Sequence, residues 1–255
     1  MCTVTIIRHG AGIRLACNRD ESRQRPAALP PRVAVTDSRQ ALMPIDPQSG
    51  GTWIAANDAG LIFTLLNAYA IPWKPNVPPA SRKSRGRIIP SLLSATTLAV
   101  ANKRLESLAL SEWPPFRLVI ADRHACDDFR FDGNDLLRTS RRIDVEVLMF
   151  TSSGLGDEVV DAPRRALLAD FFRPGRDQAS EQDAYHRHSW PQRRHLSVCM
   201  SRPEARTVSF TTVDVAADHV RMTYVPDAPD QPAPAISGVL NLARFPPQTK
   251  ATHAY

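Results

Sequence analysis

The 255-residue chain predicts an α+β fold in which two stacked, mostly antiparallel sheets lie between helical layers, an αββα sandwich. Three observations carry that expectation. Two hairpin signals fall within the first 67 residues. The elements run strands, helices, strands, helix, strands, without the regular strand–helix alternation of a parallel sheet. A hydrophobic fraction of 43% is enough for a packed core. The length suits a single domain over 1–255, ending in a Pro-rich tail from about residue 226.

Residues 3–7 (TVTII) are β-branched throughout and read as a strand. His9-Gly10-Ala11-Gly12 supplies a turn, and 13–17 (IRLAC) alternates as the returning strand. With the turn centred near 10 and 11, antiparallel partners have numbers summing to about 20 or 21, so Cys2 falls beside Asn18 or Arg19. The prolines of 25–32 (RPAALPPR) exclude a central strand. A second hairpin follows, with strands at 52–56 and 61–66 about the turn Asn57-Asp58-Ala59-Gly60, and Asn67 closes the outgoing strand. The basic, Pro-rich stretch 71–84 reads as an exposed loop.

Ser84 is expected to cap a helix through Ile88, Ile89, Leu92 and Leu93, with Pro90 restricted to its first turn. Thr96 or Thr97 begins a clearer helix carrying Leu98, Val100, Leu105 and Leu108. Strands are expected at 116–121, 128–131, 136–139 and 145–150, and a helix at 158–172 in which Pro163 introduces a kink or a later start. A polar stretch rich in Arg, His and Gln comes next. Strands then return at 196–200, 207–215 and 220–224, and the tail wraps the surface.

The net charge of +6 does not point to nucleic acid, because the arginines are scattered and several adjoin acids. An anionic small molecule remains compatible with it. Cys2, Cys17, Cys126 and Cys199 form no CxxC pair, which points to a reducing compartment. The start lacks a long apolar segment of the signal-peptide kind, and no apolar run is long enough to span a membrane. A cytoplasmic protein without a transmembrane segment is the expectation; its oligomeric state is not encoded in these features.

Two signatures compete in the opening residues. Arg8-His9-Gly10 resembles the histidine phosphatase motif, but that chemistry needs a second His beside an acid, and His186, His188, His195 and His219 have no such setting. Cys2 offers different chemistry. Removal of Met1 would leave a residue that carries both a thiol and an α-amine, the latter with a pKa of about 7.7–8.0. The amine can take the thiol proton, a cation can favour the thiolate, and a carboxylate can hold the ammonium. The hairpin brings Arg19 and Asp20 to that corner for those two roles.

Met1-Cys2-Thr3, Asn18-Arg19-Asp20-Glu21 with Arg25-Pro26, Gly50-Gly51-Thr52-Trp53, Asn57 with Gly60, and Ser84-Arg85-Gly86 together resemble the NRDE family, that of Transport and Golgi organization protein 2. These motifs span residues 1–86, with a weaker echo at Thr151-Ser152. The family is in turn similar to the N-terminal nucleophile hydrolases of the choloylglycine hydrolase and penicillin V acylase group. The resemblance implies an αββα fold and cleavage of an amide or thioester of a small molecule through Cys2. It implies Arg19 and Asp20 as partners of Cys2, and Asn67 as an oxyanion donor. Asn18, Glu21 and Arg85 are expected around the pocket. Ser152 stands where such enzymes carry a second Asn donor, a change that can cost about 100- to 1,000-fold in rate.

That chemistry requires no metal or cofactor. The family is also associated with haem movement, which implies a carrier alternative using the same pocket. Cys2, His9, His186, His188, Cys199 and Met200 are its conceivable haem ligands, and Arg82, Lys83 and Arg85 could meet the propionates.

Overall fold

The computed structural model describes residues 2–36, 39–68, 71, 78–144 and 146–243. Strands β1 (Cys2–His9) and β2 (Gly12–Ser22) form the expected hairpin, turning at Gly10 with φ of 56°. Their register runs from His9↔Gly12 to Cys2↔Arg19, so partner numbers sum to 21 and Arg19 rather than Asn18 stands opposite Cys2. The chain continues through β3 (Leu29–Thr36), β4 (Arg39–Ile45), β5 (Ile54–Asn57) and β6 (Ile62–Asn67). Helices α1 (Ile88–Leu92) and α2 (Leu98–Glu106) precede β7 (Phe116–Ala121), β8 (Ala125–Phe131), β9 (Leu136–Arg142) and β10 (Leu148–Ser152). Helices α3 (Asp157–Phe171) and α4 (Gln178–Arg187) follow, and then β11 (Ala205–Val215), β12 (His219–Val225) and β13 (Ile236–Asn241).

One sheet has the order β10-β1-β2-β11-β12-β13, the other β3-β4-β5-β6-β7-β8-β9. Every pairing is antiparallel. Alternation along each strand gives each sheet an inner and an outer face. The inner faces meet in one apolar core, with Val4, Ile6, Leu15 and Cys17 from the first sheet against Ile54, Ile62, Leu66 and Val119 from the second. On the outside of the second sheet, Phe63, Leu118 and Ile120 pack against Ile88, Ile89 and Leu92 of α1 and Ala101 and Leu105 of α2. Helices α3 and α4 cover β10, β1 and β2 on the outside of the first sheet, so the expected αββα layering is present.

Several elements depart from the sequence expectation. Residues 178–187 form a helix where only a polar stretch was legible, because its buried residues are Gln182, Tyr185 and His186 rather than an apolar stripe. Residues 196–200 are not a strand; Ser197–Met200 are buried, yet side chains rather than a ladder hold much of their backbone. The Pro-rich tail contributes an edge strand, β13, paired along β12. The segment 25–32 supplies the start of β3, an edge strand whose pairing breaks between Leu29 and Arg32 at the prolines. Ser84 precedes a short 3-10 turn, Arg85–Arg87, without capping it through its side chain, whereas the Thr97 side chain accepts from the Val100 amide at the start of α2. Pro163 lies inside α3, which starts before it, at Asp157. Residues 72–77 of the expected loop, Val145 at the start of an expected strand, and the tail from 244 lie outside the described residues.

Candidate active site

Cys2 lines a solvent-open cleft of about 260 Å³ between the ends of the two sheets. Its walls come from Arg19 and Glu21 on β2, the loop carrying Asp46 and Trp53, Asn67 at the end of β6, and Arg85. Residues distant in sequence are forced together there by backbone contact. The Thr52 amide donates to the Gly86 carbonyl at 2.9 Å, and a Cβ on Gly51 would lie 2.3 Å from that oxygen. The Gly-Gly-Thr-Trp and Ser-Arg-Gly motifs therefore meet at a point where a side chain has no room.

Consecutive residues of β2 point to opposite faces, and that divides the labour of the corner. Arg19 shares the inner face with Cys2, its register partner. Its guanidinium lies 4.2 Å from the centroid of the Trp53 ring, and Nη2 is 3.6 Å from Asp46 and 3.7 Å from Glu21. Arg25 also donates to Asp46, as does Ser49 at 3.1 Å. Burial raises the Asp46 pKa, but the Arg25 hydrogen bond and charge, with Arg19, hold it below the ordinary carboxylate range. The ion-pair network thus fixes Arg19 beside the thiol.

Cys17 is on the same inner face, diagonal to Cys2 in the register, and each thiol is the first influence on the other's pKa. The Cys17 thiol, then the positive charge of the chain's N-terminus and last the Arg19 cation lower the Cys2 pKa, against burial and the Asp20 anion, which raise it. Cys17 moves the other way, well above its ordinary value, because its proton is held by Cys2 and its site is buried. Within the pair, the sulfur whose pKa is lowered is the one that lines the cleft.

Asp20 lies on the outer face. Its carboxylate accepts from Thr207 Oγ1 at 2.6 Å, and burial raises its pKa while the Arg164 charge and the Thr207 bond lower it. Arg164, from α3, is buried; it donates to Thr3 Oγ1 at 2.8 Å, to the Ser197 carbonyl at 2.7 Å and to the Leu196 carbonyl at 3.0 Å. The acid and the cation thus flank the backbone at the start of β1 from the helical side.

The expected site residues divide into three groups. Cys2, Arg19, Asp20, Glu21, Asn67 and Arg85 line the cleft. Arg85 donates to the Pro115 carbonyl at 3.0 Å. Ser152 is the register partner of Cys2 on β10, buried beside it, and its hydroxyl makes no hydrogen bond among the described residues. Asn18 does not line the cleft. It faces outward, donating to the carbonyls of His186 and Val198 at 2.9 Å each, while its Oδ1 is 3.1 Å from His186 Nδ1. Sequence reasoning gave no role to Asp46, Trp53, Arg164 or Thr207. Trp53 and Arg25 belonged to quoted motifs, whereas Asp46, Arg164 and Thr207 carried no local signal.

His9 is at the other end of β1, exposed at the hairpin turn and 3.1 Å from Asp214. The conceivable haem ligands do not converge as a set. Cys2 is in the cleft and His9 at the turn, while both ring nitrogens of His186 are engaged, by Asn18 and by Thr5 at 2.8 Å. His188 and Cys199 share a backbone hydrogen bond, Met200 follows Cys199 in the chain, and burial pushes the Cys199 thiol up to about 12. No group of three or more His, Cys, Asp or Glu suited to a metal occurs among the described residues.

Two facing antiparallel sheets between helical layers, with a cysteine opening the first strand at a cleft, define the N-terminal nucleophile hydrolase fold. Similar solved structures include penicillin V acylase from Agrobacterium tumefaciens, 14% identical over 93% of this chain and 85% of that one, with a TM-score of 0.52. A mutant conjugated bile acid hydrolase from Clostridium perfringens is 11% identical over 96% and 97%, with a TM-score of 0.53. The Caenorhabditis elegans ortholog of N-acylethanolamine-hydrolyzing acid amidase is 14% identical over 83% and 92%, with a TM-score of 0.55. At these identities the likeness is one of fold. The chain belongs to the Transport and Golgi organisation 2 family, whose model matches residues 1–171. Among curated proteins none matches the sequence.

Proposed function

We propose that the chain is an N-terminal-cysteine hydrolase that cleaves an amide or thioester bond of a small molecule in a reducing, cytoplasmic setting. The observation that carries this reading is the Cys2 corner, a cysteine at the start of β1 that lines an open cleft with Arg19 as its strand partner and Cys17 on the same face. The four cysteines, all unpaired in disulfide terms, suit the setting.

Hydrolysis of the Met1–Cys2 bond would free the α-amine. That amine takes the Cys2 proton as the sulfur bonds to the acyl carbon, and the carbonyl electron pair moves to oxygen. Asn67 is the residue assigned to that oxyanion, with the Ser152 hydroxyl as a second donor from the neighbouring strand. The ammonium then protonates the departing amine or thiol as the tetrahedral adduct collapses. Water hydrolyses the acyl-cysteine, releasing a carboxylic acid and restoring the thiol. Asp20 holds the ammonium and Arg19 the thiolate. A haem carrier would use the same cleft, but no observation favours it over hydrolysis.

Intact-mass analysis is the first test, with loss of Met1 expected; a chain that retains Met1 in full cannot use this mechanism. A panel of amide and thioester substrates is the second. Wild type should turn over at least one, and Cys2→Ala should lose that activity by about 1,000-fold or more, the scale of removing a catalytic nucleophile. Equal rates in the two proteins would overturn the assignment.

A further inference from the structure

Cys17 has no part in the hydrolytic steps, yet its thiol influences the Cys2 sulfur more strongly than any other group does. Cys2 pairs with Arg19 and Cys17 with Val4, so the two cysteines occupy diagonal positions on one face of adjacent strands. Diagonal neighbours on an antiparallel pair lie about 7–8 Å apart, and here each thiol is the first influence on the other's pKa. Cys126 and Cys199 lie on β8 and in the segment before β11, with no thiol partner of this kind. Cys2 also borders an open cleft that admits a small oxidant, whereas Cys17 is buried behind it. A thiol that lines an open cleft, with a second thiol diagonal to it on the same face, is an arrangement in which a sulfenic acid can be trapped as a disulfide before further oxidation.

We infer that Cys17 is a resolving thiol for Cys2, and that the two form a reversible disulfide when a hydroperoxide reaches the cleft. In the first step the Cys2 thiolate attacks the distal peroxide oxygen and the O–O bond breaks. With one proton taken up, the products are Cys2 sulfenic acid and an alcohol, or water when the oxidant is hydrogen peroxide. In the second step the Cys17 sulfur displaces that hydroxyl from Cys2, and its proton leaves with the hydroxyl as water. Two thiols lose two electrons and two protons, and the peroxide bond is reduced. The diagonal placement is not that of an unstrained disulfide, and strained bridges are the readily reduced ones. A dithiol therefore restores both thiols by exchange.

The inference concerns the sulfur that the hydrolase reading uses, but its readout needs no turnover, so each can fail without the other. The full chain is exposed to hydrogen peroxide, alkylated, digested with trypsin and analysed by mass spectrometry. The expected result is loss of two hydrogens from the intact protein and a cross-link between the peptides ending at Arg8 and at Arg19. Cys126 and Cys199 should remain alkylatable, and dithiothreitol should remove the link. In Cys17→Ala, and in Cys17→Ser as a second variant should the first not fold, Cys2 should instead gain two or three oxygens irreversibly. A wild type that accumulates the same over-oxidised Cys2 as these variants, or remains unoxidised, or links Cys2 to any other cysteine, would overturn the proposal.

Discussion

The two helical layers cover their sheets by different physics. Helices α1 and α2 meet the outer face of the second sheet through Ile88, Ile89, Leu92 and Leu105 against Phe63 and Leu118, an interface of apolar surface. Helices α3 and α4 meet the first sheet largely through polar groups. Gln182 bridges Thr5 at 2.8 Å and Arg14 at 2.8 Å, His186 bridges Thr5 and Asn18, and Arg164 reaches Thr3 and the 196–197 carbonyls. Burying polar groups is tolerable only when their hydrogen bonds are made, so this layer is specified by partners rather than by area. It is also the layer behind β1 and β2, which carry Cys2 and Asp20. The comparison teaches that the Cys2 corner rests on the polar layer, and that its stability should follow pH and charge where the apolar layer's does not.

Removing a buried charge should break that contrast most severely. Arg164→Met leaves Asp20 without its buried cation and three acceptors without their donor, so a loss of roughly 3–5 kcal/mol is expected in urea denaturation. A loss below about 1 kcal/mol would mean that the network does not hold this layer.

Acid should separate the two layers next. Burial lowers the His186 pKa from 6.5 to about 3, so the folded state requires the neutral ring. The unfolded chain binds the proton first. The stability contributed by His186 is therefore present above pH 6.5 and is lost as pH falls towards about 3, at about 1.4 kcal/mol per pH unit. Asp20 acts with the opposite sign. Its pKa is raised on folding, so its contribution is present below its ordinary value of 3.8 and is lost as pH rises through the raised value. Asp46, held low, adds to the acid loss. Denaturation midpoints measured across this range should show a shallower acid slope in His186→Gln and a steeper one in Asp20→Asn. An unchanged slope in His186→Gln would remove the buried neutral ring as the cause.

The smallest expected effect sharpens the other side of the comparison. Ile89→Val trims the apolar layer by one methylene, and should cost about 0.5–1.5 kcal/mol. That cost should be the same at pH 5 and pH 8, where no group of the apolar cluster titrates. A loss that varies with pH would show that this interface also depends on charge.

Legibility follows the same division. The two hairpins, the span of β7 and the start of α2 were readable because turn residues, β-branched runs and a capping Thr97 are local signals. Helix α4 was not, since hydrogen-bonded Gln182 and His186 leave no apolar period to detect. The buried run Ser197–Met200 resembled a strand because burial and apolar content were visible, whereas the Arg164 and Asn18 bonds that replace a ladder were not. In the candidate site, Cys2, Arg19 and Asp20 could be brought together by counting along one hairpin. Asp46, Trp53 and Arg164 could not, because each arrives through a long-range contact.

By itself, then, the sequence determined that Cys2 lies beside Asn18 or Arg19, because a hairpin's register is set by its turn and a two-residue side-chain period, and the structure decided for Arg19. It likewise determined which residues could form the facing sheets. Only the tertiary structure decided that Asn18 turns outward to His186 while Arg19 turns inward onto Trp53, although the two are neighbours in the chain. Only the tertiary structure brought Arg164 behind Asp20. Those choices depend on which layer each face of the sheet meets, and that is settled by packing between segments more than a hundred residues apart.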